Sequence, residues 1–158
     1  MGKLRHIALT VPDPWKAAEF YMSAFGLTKV GETDSSLACG VYLSDGVVNL
    51  ALLHYKSDEA AGERGRDFVG IHHFGVWVDD VAASRARIEE AGGEYYMGEV
   101  PVKSNIFYEV KFKDPNGIVL DITSQGWGGA SKDGNPSSAG PALRHEGLAA
   151  DRGQIPGS

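Results

Sequence analysis

The sequence predicts an α+β fold in which one βαβββ unit is used twice. Three observations carry that expectation. Residues 4–13, LRHIALTVPD, and residues 71–80, IHHFGVWVDD, repeat with an offset that lays His6 on His73, Leu9 on Val76, Val11 on Val78 and Asp13 on Asp80. Each copy is followed by a stretch with helical start and stop signals. Each half then carries a tight-turn signal between apolar runs, Asp45-Gly46 in the first and DPNG (Asp114–Gly117) in the second.

The elements follow in order. Leu4–Val11 reads as a strand whose Ile7, Leu9 and Val11 share one face while His6, Ala8 and Thr10 share the other. The next stretch is a helix capped by Asp13, opened by Pro14 and ended at Gly26, with Trp15, Ala18, Met22 and Phe25 expected to face the sheet. Leu27–Glu32 is a strand, and Leu37–Leu43 with Val47–His54 makes a hairpin; the polar, charged stretch Tyr55–Phe68 links the halves. In the second half Ile71–Val78 is a strand with His73 and Gly75 on one face and Phe74, Val76 and Val78 on the other. Asp80 caps a helix through Val81, Ala82, Arg85, Ile88 and Ala91 that stops at Gly92-Gly93. Glu94–Glu99, Ile106–Lys113 and Ile118–Ser124 complete the strands. Residues 1–124 are therefore expected to form one domain of two modules, 4–55 and 70–124, since one copy alone could hardly bury a sufficient core. Residues 125–158 are rich in Gly, Pro, Ser and Ala, a composition that reads as a disordered tail. We expect part of it, anchored by Trp127, to lie along this subunit or a neighbour.

Composition narrows the function. The formal charge of −6 leaves no basic stripe for a nucleic acid. No apolar run approaches the length of a membrane span. The single cysteine, Cys39, excludes an internal disulfide. The opening MGKLRH shows no signal-peptide pattern and runs straight into a strand, so a cytoplasmic location is expected.

Two histidines at matching places in two copies of one unit suggest a shared task. Asp121 in GIVLDIT shares a strand face with Val119 and Thr123, and a carboxylate there is costly unless it is paired or bound to a cation; the alternatives are an edge aspartate facing water or one paired with Lys111 or Lys113. His6, His73 and Asp121 would make a two-imidazole, one-carboxylate set that binds a divalent first-row ion (Fe2+, Mn2+, Zn2+ or Ni2+) and leaves positions open for water and substrate. The matching fourth position in the first half falls on Leu50 or Ala51, neither a ligand; His54, at the end of that strand, is a reserve candidate for the site.

The segments LRHIALTVPDPWKAAEFYMSAFGL, GIHHFGVWVDD with ARIEEAGG, and FKDPNGIVLDI resemble the vicinal oxygen chelate superfamily of glyoxalase I, extradiol dioxygenases, fosfomycin-resistance proteins, methylmalonyl-CoA epimerase and bleomycin-resistance proteins. The resemblance spans Leu4 to Ser124. It implies paired βαβββ modules in an open, U-shaped mixed barrel around one divalent metal, held by His6, His73 and Asp121, with Asp standing where the family usually has Glu. It also implies a homodimer. Glyoxalase I and the epimerase add a carboxylate ligand from the first module, where Leu50 or Ala51 stands here. Ring-cleaving dioxygenases carry a base histidine and a tyrosine, where Val48 and Lys111 stand. The expected function is a metal-dependent enzyme, lyase or dioxygenase, acting on a small oxygenated substrate chelated to the metal. Tyr108, Glu109 and Lys111 are candidate catalytic groups, and Trp77 and His54 candidate substrate contacts. The alternative is a ligand-sequestering protein of the bleomycin-resistance type, which works without chemistry.

Overall fold

A computed structural model describes residues 1–103 and 106–141. Its order is β1 (Lys3–Thr10), α1 (Pro14–Phe25), β2 (Thr28–Asp34), β3 (Ala38–Ser44), β4 (Asn49–Tyr55), α2 (Asp58–Ala61), β5 (Gly70–Trp77), α3 (Val81–Glu90), β6 (Glu94–Met97), β7 (Val110–Lys113) and β8 (Val119–Thr123). The eight strands form one open mixed sheet in the order β2-β3-β4-β1-β5-β8-β7-β6. The repeat is visible in the pairing. β1 runs parallel to β4, β5 runs parallel to β8, and the two modules join along the antiparallel β1–β5 seam.

The caps form as the sequence specifies. Asp13 accepts from the Trp15 and Lys16 amides ahead of Pro14, and Gly26 closes α1 in the left-handed region at φ 68°. Asp80 accepts from the Ala83 amide to start α3. The faces differ in part from expectation. Pro14 and Ala18 are buried, but Trp15 and Phe25 are exposed. The reason is where α1 lies: it packs on Val41, Leu43 and Leu52 of β3 and β4, away from the central seam. α3 buries Val81 and Ser84, with Ile88 against the Phe112 and Ile122 cluster, while Ala82, Arg85 and Ala91 are exposed. The outer face of the seam is thus thinly covered, and Ile71 is 64% exposed.

Two further expectations are corrected. The strand foreseen over Ile106–Lys113 is hydrogen-bonded only from Val110. The charged link between modules holds a one-turn helix, α2, capped by the Ser57 side chain. None of the helices described is long and apolar enough to cross a membrane.

The segment after β8 does not behave as its composition suggests. Residues 126–131, GWGGAS, are all buried. Its glycines allow this, because a Cβ at Gly126 would fall 2.3 Å from the Trp77 ring and one at Gly129 would fall 2.6 Å from Ser44 Cβ. The segment runs from Trp77 on β5 to Ser44 on β3, across the inner face of both modules. Ser44 Oγ donates to the Gly129 carbonyl at 2.7 Å, and the Ser131 amide donates to the Val47 carbonyl at 3.1 Å. Arg5 Nε donates to the Ser131 carbonyl at 2.6 Å. Part of the segment therefore lies along its own chain; residues 142–158 fall outside the described ones.

Candidate metal centre

One row of residues across the sheet builds the site. Registry places Asn49 of β4 beside His6 of β1, His6 beside Gly75 of β5, Gly75 beside Asp121 of β8, and Asp121 beside Lys111 of β7. Inner-face alternation turns His6 and Asp121 inward, and Gly75 between them contributes no side chain. His73 stands two residues before Gly75 on the same face of β5, opposite Ala8. The two imidazole centroids are 5.4 Å apart. His73 Nε2 lies 3.3 Å from Asp121 Oδ2. Ligand atoms of His6, His73 and Asp121 all fall within 4.8 Å of one another, and all three side chains are buried.

The outer nitrogens of both imidazoles are tied down. Asn49 Nδ2 donates to the Gly128 carbonyl at 2.8 Å, which leaves its Oδ1 to accept from His6 Nδ1–H at 2.8 Å. His72 Nε2–H donates to the Ala61 carbonyl at 2.6 Å, so neutral His72 presents an accepting Nδ1, and His73 Nδ1–H donates to it at 2.8 Å. Burial lowers the pKa of His6 and of His72, and pushes His73 down to about 4. All three rings are therefore neutral at pH 7. Both Nδ1 atoms are thus engaged outward, and His73 Nε2 faces the Asp121 carboxylate. This is the arrangement of metal-ligating histidines, whose second nitrogen donates outward. The donor set fits a divalent first-row ion.

Asp121 already faces a cation of the protein itself. Lys111 Nζ donates to both Asp121 oxygens at 2.7 Å. Burial works against the charge on Asp121, but the Lys111 ammonium, followed by His73, overrides it and holds the carboxyl well below the usual range. Glu109 Oε2 is 3.7 Å from the same ammonium, and Glu109 Oε1 accepts from Trp127 Nε1–H at 2.7 Å. The Trp127 ring stacks on His6 at 4.9 Å and 6°.

An open cleft of about 590 Å³, mouth included, reaches this cluster from the first module. His6, His73, Glu109 and Lys111 line its polar end, and Tyr42 and Tyr55 stand among its apolar walls. Ala51 also lines it and settles the fourth position: β4 pairs Ala51 with Ala8 as β8 pairs Asp121 with Gly75. Of the other residues singled out in the sequence, Glu109 and Lys111 are in the cleft. Tyr108 packs beneath α3 and bonds the Ser124 hydroxyl at 2.7 Å. Trp77 donates to the Ser124 carbonyl at 3.0 Å and packs on the terminal segment. His54 lines a separate hollow with Arg66 and Phe68. Asn49 and His72 escaped the sequence reading. Their signals were the HH pair at residues 72–73 and, for Asn49, the polar side chain that opens an otherwise apolar strand.

Comparison with known proteins identifies the family and the fold. The family described as Glyoxalase/Bleomycin resistance protein/Dioxygenase superfamily matches residues 3–122. The chain is 30% identical over 131 residues to an ethylmalonyl-CoA/methylmalonyl-CoA epimerase of Cereibacter sphaeroides, covering 77% of this chain and 97% of that one. It is 25% identical over 138 residues to a probable lactoylglutathione lyase of Vibrio parahaemolyticus, covering 84% and 98%. In fold it is similar to Streptomyces coelicolor methylmalonyl-CoA epimerase (Q60A) in complex with 2-nitronate-propionyl-CoA, with a TM-score of 0.63, 20% identity, and coverage of 76% and 94%. A duplicated module, an open eight-stranded sheet and a match across residues 3–122 lead to one conclusion: the chain belongs to the glyoxalase/bleomycin resistance protein/dioxygenase superfamily.

Proposed function

We propose that the protein is a divalent-metal-dependent enzyme that moves a proton on a small oxygenated substrate held in the cleft. The observation that carries this reading is the buried trio of His6, His73 and Asp121, whose ligand atoms lie within 4.8 Å of one another while each imidazole is bonded outward through Nδ1. His6, His73 and Asp121 would hold the ion. When bound, it would act as a Lewis acid toward substrate oxygens and favour a developing oxyanion. Glu109 is the proposed base, since its carboxylate lines the cleft within reach of the cluster. The Trp127 N–H orients that carboxylate and leaves its second oxygen toward Lys111. Proton transfer is favoured over ring-cleaving oxygenation by the similarity to an epimerase and a lyase.

Lys111 supports a second reading. Its ammonium already neutralises Asp121 without an ion, as a ligand-sequestering protein would require. Elemental analysis of protein purified without added metal, followed by calorimetric titration of chelator-treated protein with Zn2+, Mn2+, Ni2+ and Fe2+, separates the two. The enzyme reading expects one ion per chain, and His73→Ala and Asp121→Asn should each abolish it. A folded wild type that takes up none of these ions yet binds an aromatic ligand would overturn the enzyme reading in favour of sequestration.

A further inference from the structure

The strongest feature outside the ligand set is where Trp127 sits. It lies beyond the family match, which ends at residue 122, in the segment whose composition suggests disorder. Yet Trp127 is 2% exposed, and two consecutive residues of this segment touch three parts of the cluster. The Trp127 ring lies parallel on His6, its N–H donates to Glu109, and the neighbouring Gly128 carbonyl accepts from Asn49, the side chain that fixes His6 Nδ1. The ring is seated over Gly75, where a Cβ would fall 2.5 Å from Trp127 Cζ2. The row of sheet residues thus leaves room above Gly75, between His6 and Asp121, where this indole sits.

We infer that the segment Gly126–Ser131 is a built-in support behind the site and that Trp127 is a positioning residue, acting through His6 on metal affinity and through Glu109 on proton transfer. The two actions are separable, because stacking uses the ring face and the bond to Glu109 uses only the indole N–H. His6 is held on three sides: by Asn49 at Nδ1, by the indole face, and by its own strand. Removing the indole frees the ring to turn about χ1 and χ2, so the Nε2 lone pair no longer has a fixed direction. Outer-shell partners of metal-ligating histidines typically contribute about 10–100-fold to metal affinity.

This inference rests on the metal-binding reading for its main test, so the experiment carries two readouts. Zn2+ affinity is measured by calorimetry on the full chain and on W127F and W127L, and the His6 ring is followed by long-range 15N correlation spectra in the metal-free state. W127F retains a stacking ring and should bind Zn2+ about 3–10-fold more weakly than wild type, whereas W127L should bind about 10–100-fold more weakly. In the spectra, wild type should show one His6 tautomer, protonated at Nδ1, with ring protons shifted upfield by the indole. W127L should lose the shift and show His6 ring signals broadened by exchange between orientations, while W127F should retain sharp signals of one orientation. Equal Zn2+ affinity within twofold in all three proteins, or His6 ring signals as sharp in W127L as in wild type, would overturn the inference. Should W127L fail to fold, W127F decides alone: affinity within twofold of wild type overturns the inference, and a 3–10-fold loss with sharp His6 ring signals supports it. Should wild type bind no Zn2+, the proposed function fails, and the His6 spectra alone decide the role of Trp127.

Discussion

Lys111 donates to both oxygens of Asp121, so an ion entering the site must first part them. The pair is buried, and breaking such a pair from one side costs about 3–5 kcal/mol. Lys111→Met should therefore lower the stability of the metal-free protein by about 3 kcal/mol. It should also raise Zn2+ affinity at least ~10-fold, since each 1.4 kcal/mol no longer spent on displacing the ammonium is a factor of ten. Thermal melts with and without Zn2+ check both effects, and weaker Zn2+ binding in the variant would mean that the ammonium assists the ion. Gly75 is the second critical residue. A methyl group there would meet Trp127 Cζ2 at 2.5 Å and His6 Cβ at 2.9 Å. Gly75→Ala should cost about 1–3 kcal/mol by overpacking, measured by denaturant unfolding; a neutral result would mean that the indole moves aside freely.

At the level of elements, strand register fixes what a repeat alignment left open between Leu50 and Ala51. Ala51 faces the cleft, whereas Leu50 packs with the α1-side cluster. Ala51→Glu should add a carboxylate beside the proposed ligands and tighten Zn2+ binding, by tenfold or more for 1.4 kcal/mol of added interaction. Leu50→Glu should leave affinity unchanged and lower stability, because it places a charge against α1. Calorimetry on the two variants reads the register directly, and the reverse outcome would shift β4 by one residue. Helix caps and hairpin turns were legible because Asp13, Asp80, Gly26 and Asp45-Gly46 act through nearest neighbours. The helix faces were not, because which face of α1 is buried depends on its seat over β3 and β4. For GWGGAS, Trp127 marked an anchor, but the course of the segment was hidden for the same reason: its glycines are small to fit against Trp77 and Ser44, a fact that exists only in three dimensions.

The molecule as a whole brings neutral histidines to the centre of a continuous sheet, and that gives its stability a pH signature. The folded-state pKa of His73 is about 4, against 6.5 in the unfolded chain. Between these values the unfolded state binds the extra proton, so stability falls as pH drops from 6.5 to 4, by about 3 kcal/mol for this group. His6 and His72 shift the same way and add to the slope. Asp121 is depressed, so its contribution is lost only below the usual carboxylate range and leaves this window clear. Metal-free protein should show a melting temperature that falls steadily over that interval, and His73→Asn should flatten the steepest part; an unchanged slope in the variant would assign the effect elsewhere. The duplicated architecture and the trio of His6, His73 and Asp121 could be read from residue spacing, since strand alternation and an internal repeat are periodic signals. Pairing of Asp121 with Lys111 or Lys113 and an anchoring role for Trp127 were legible as alternatives, but which lysine pairs, the amide behind His6 and the seat of the indole on His6 were not, because each depends on cross-strand register or on a segment with no periodic pattern. The most direct test of the central claim is anomalous diffraction from crystals of the wild-type protein grown with Co2+. The account predicts one strong peak per chain flanked by His6 Nε2, His73 Nε2 and the Asp121 carboxylate, with Lys111 drawn away from Asp121. Density that keeps Lys111 on Asp121, with no peak among the three side chains, would contradict it.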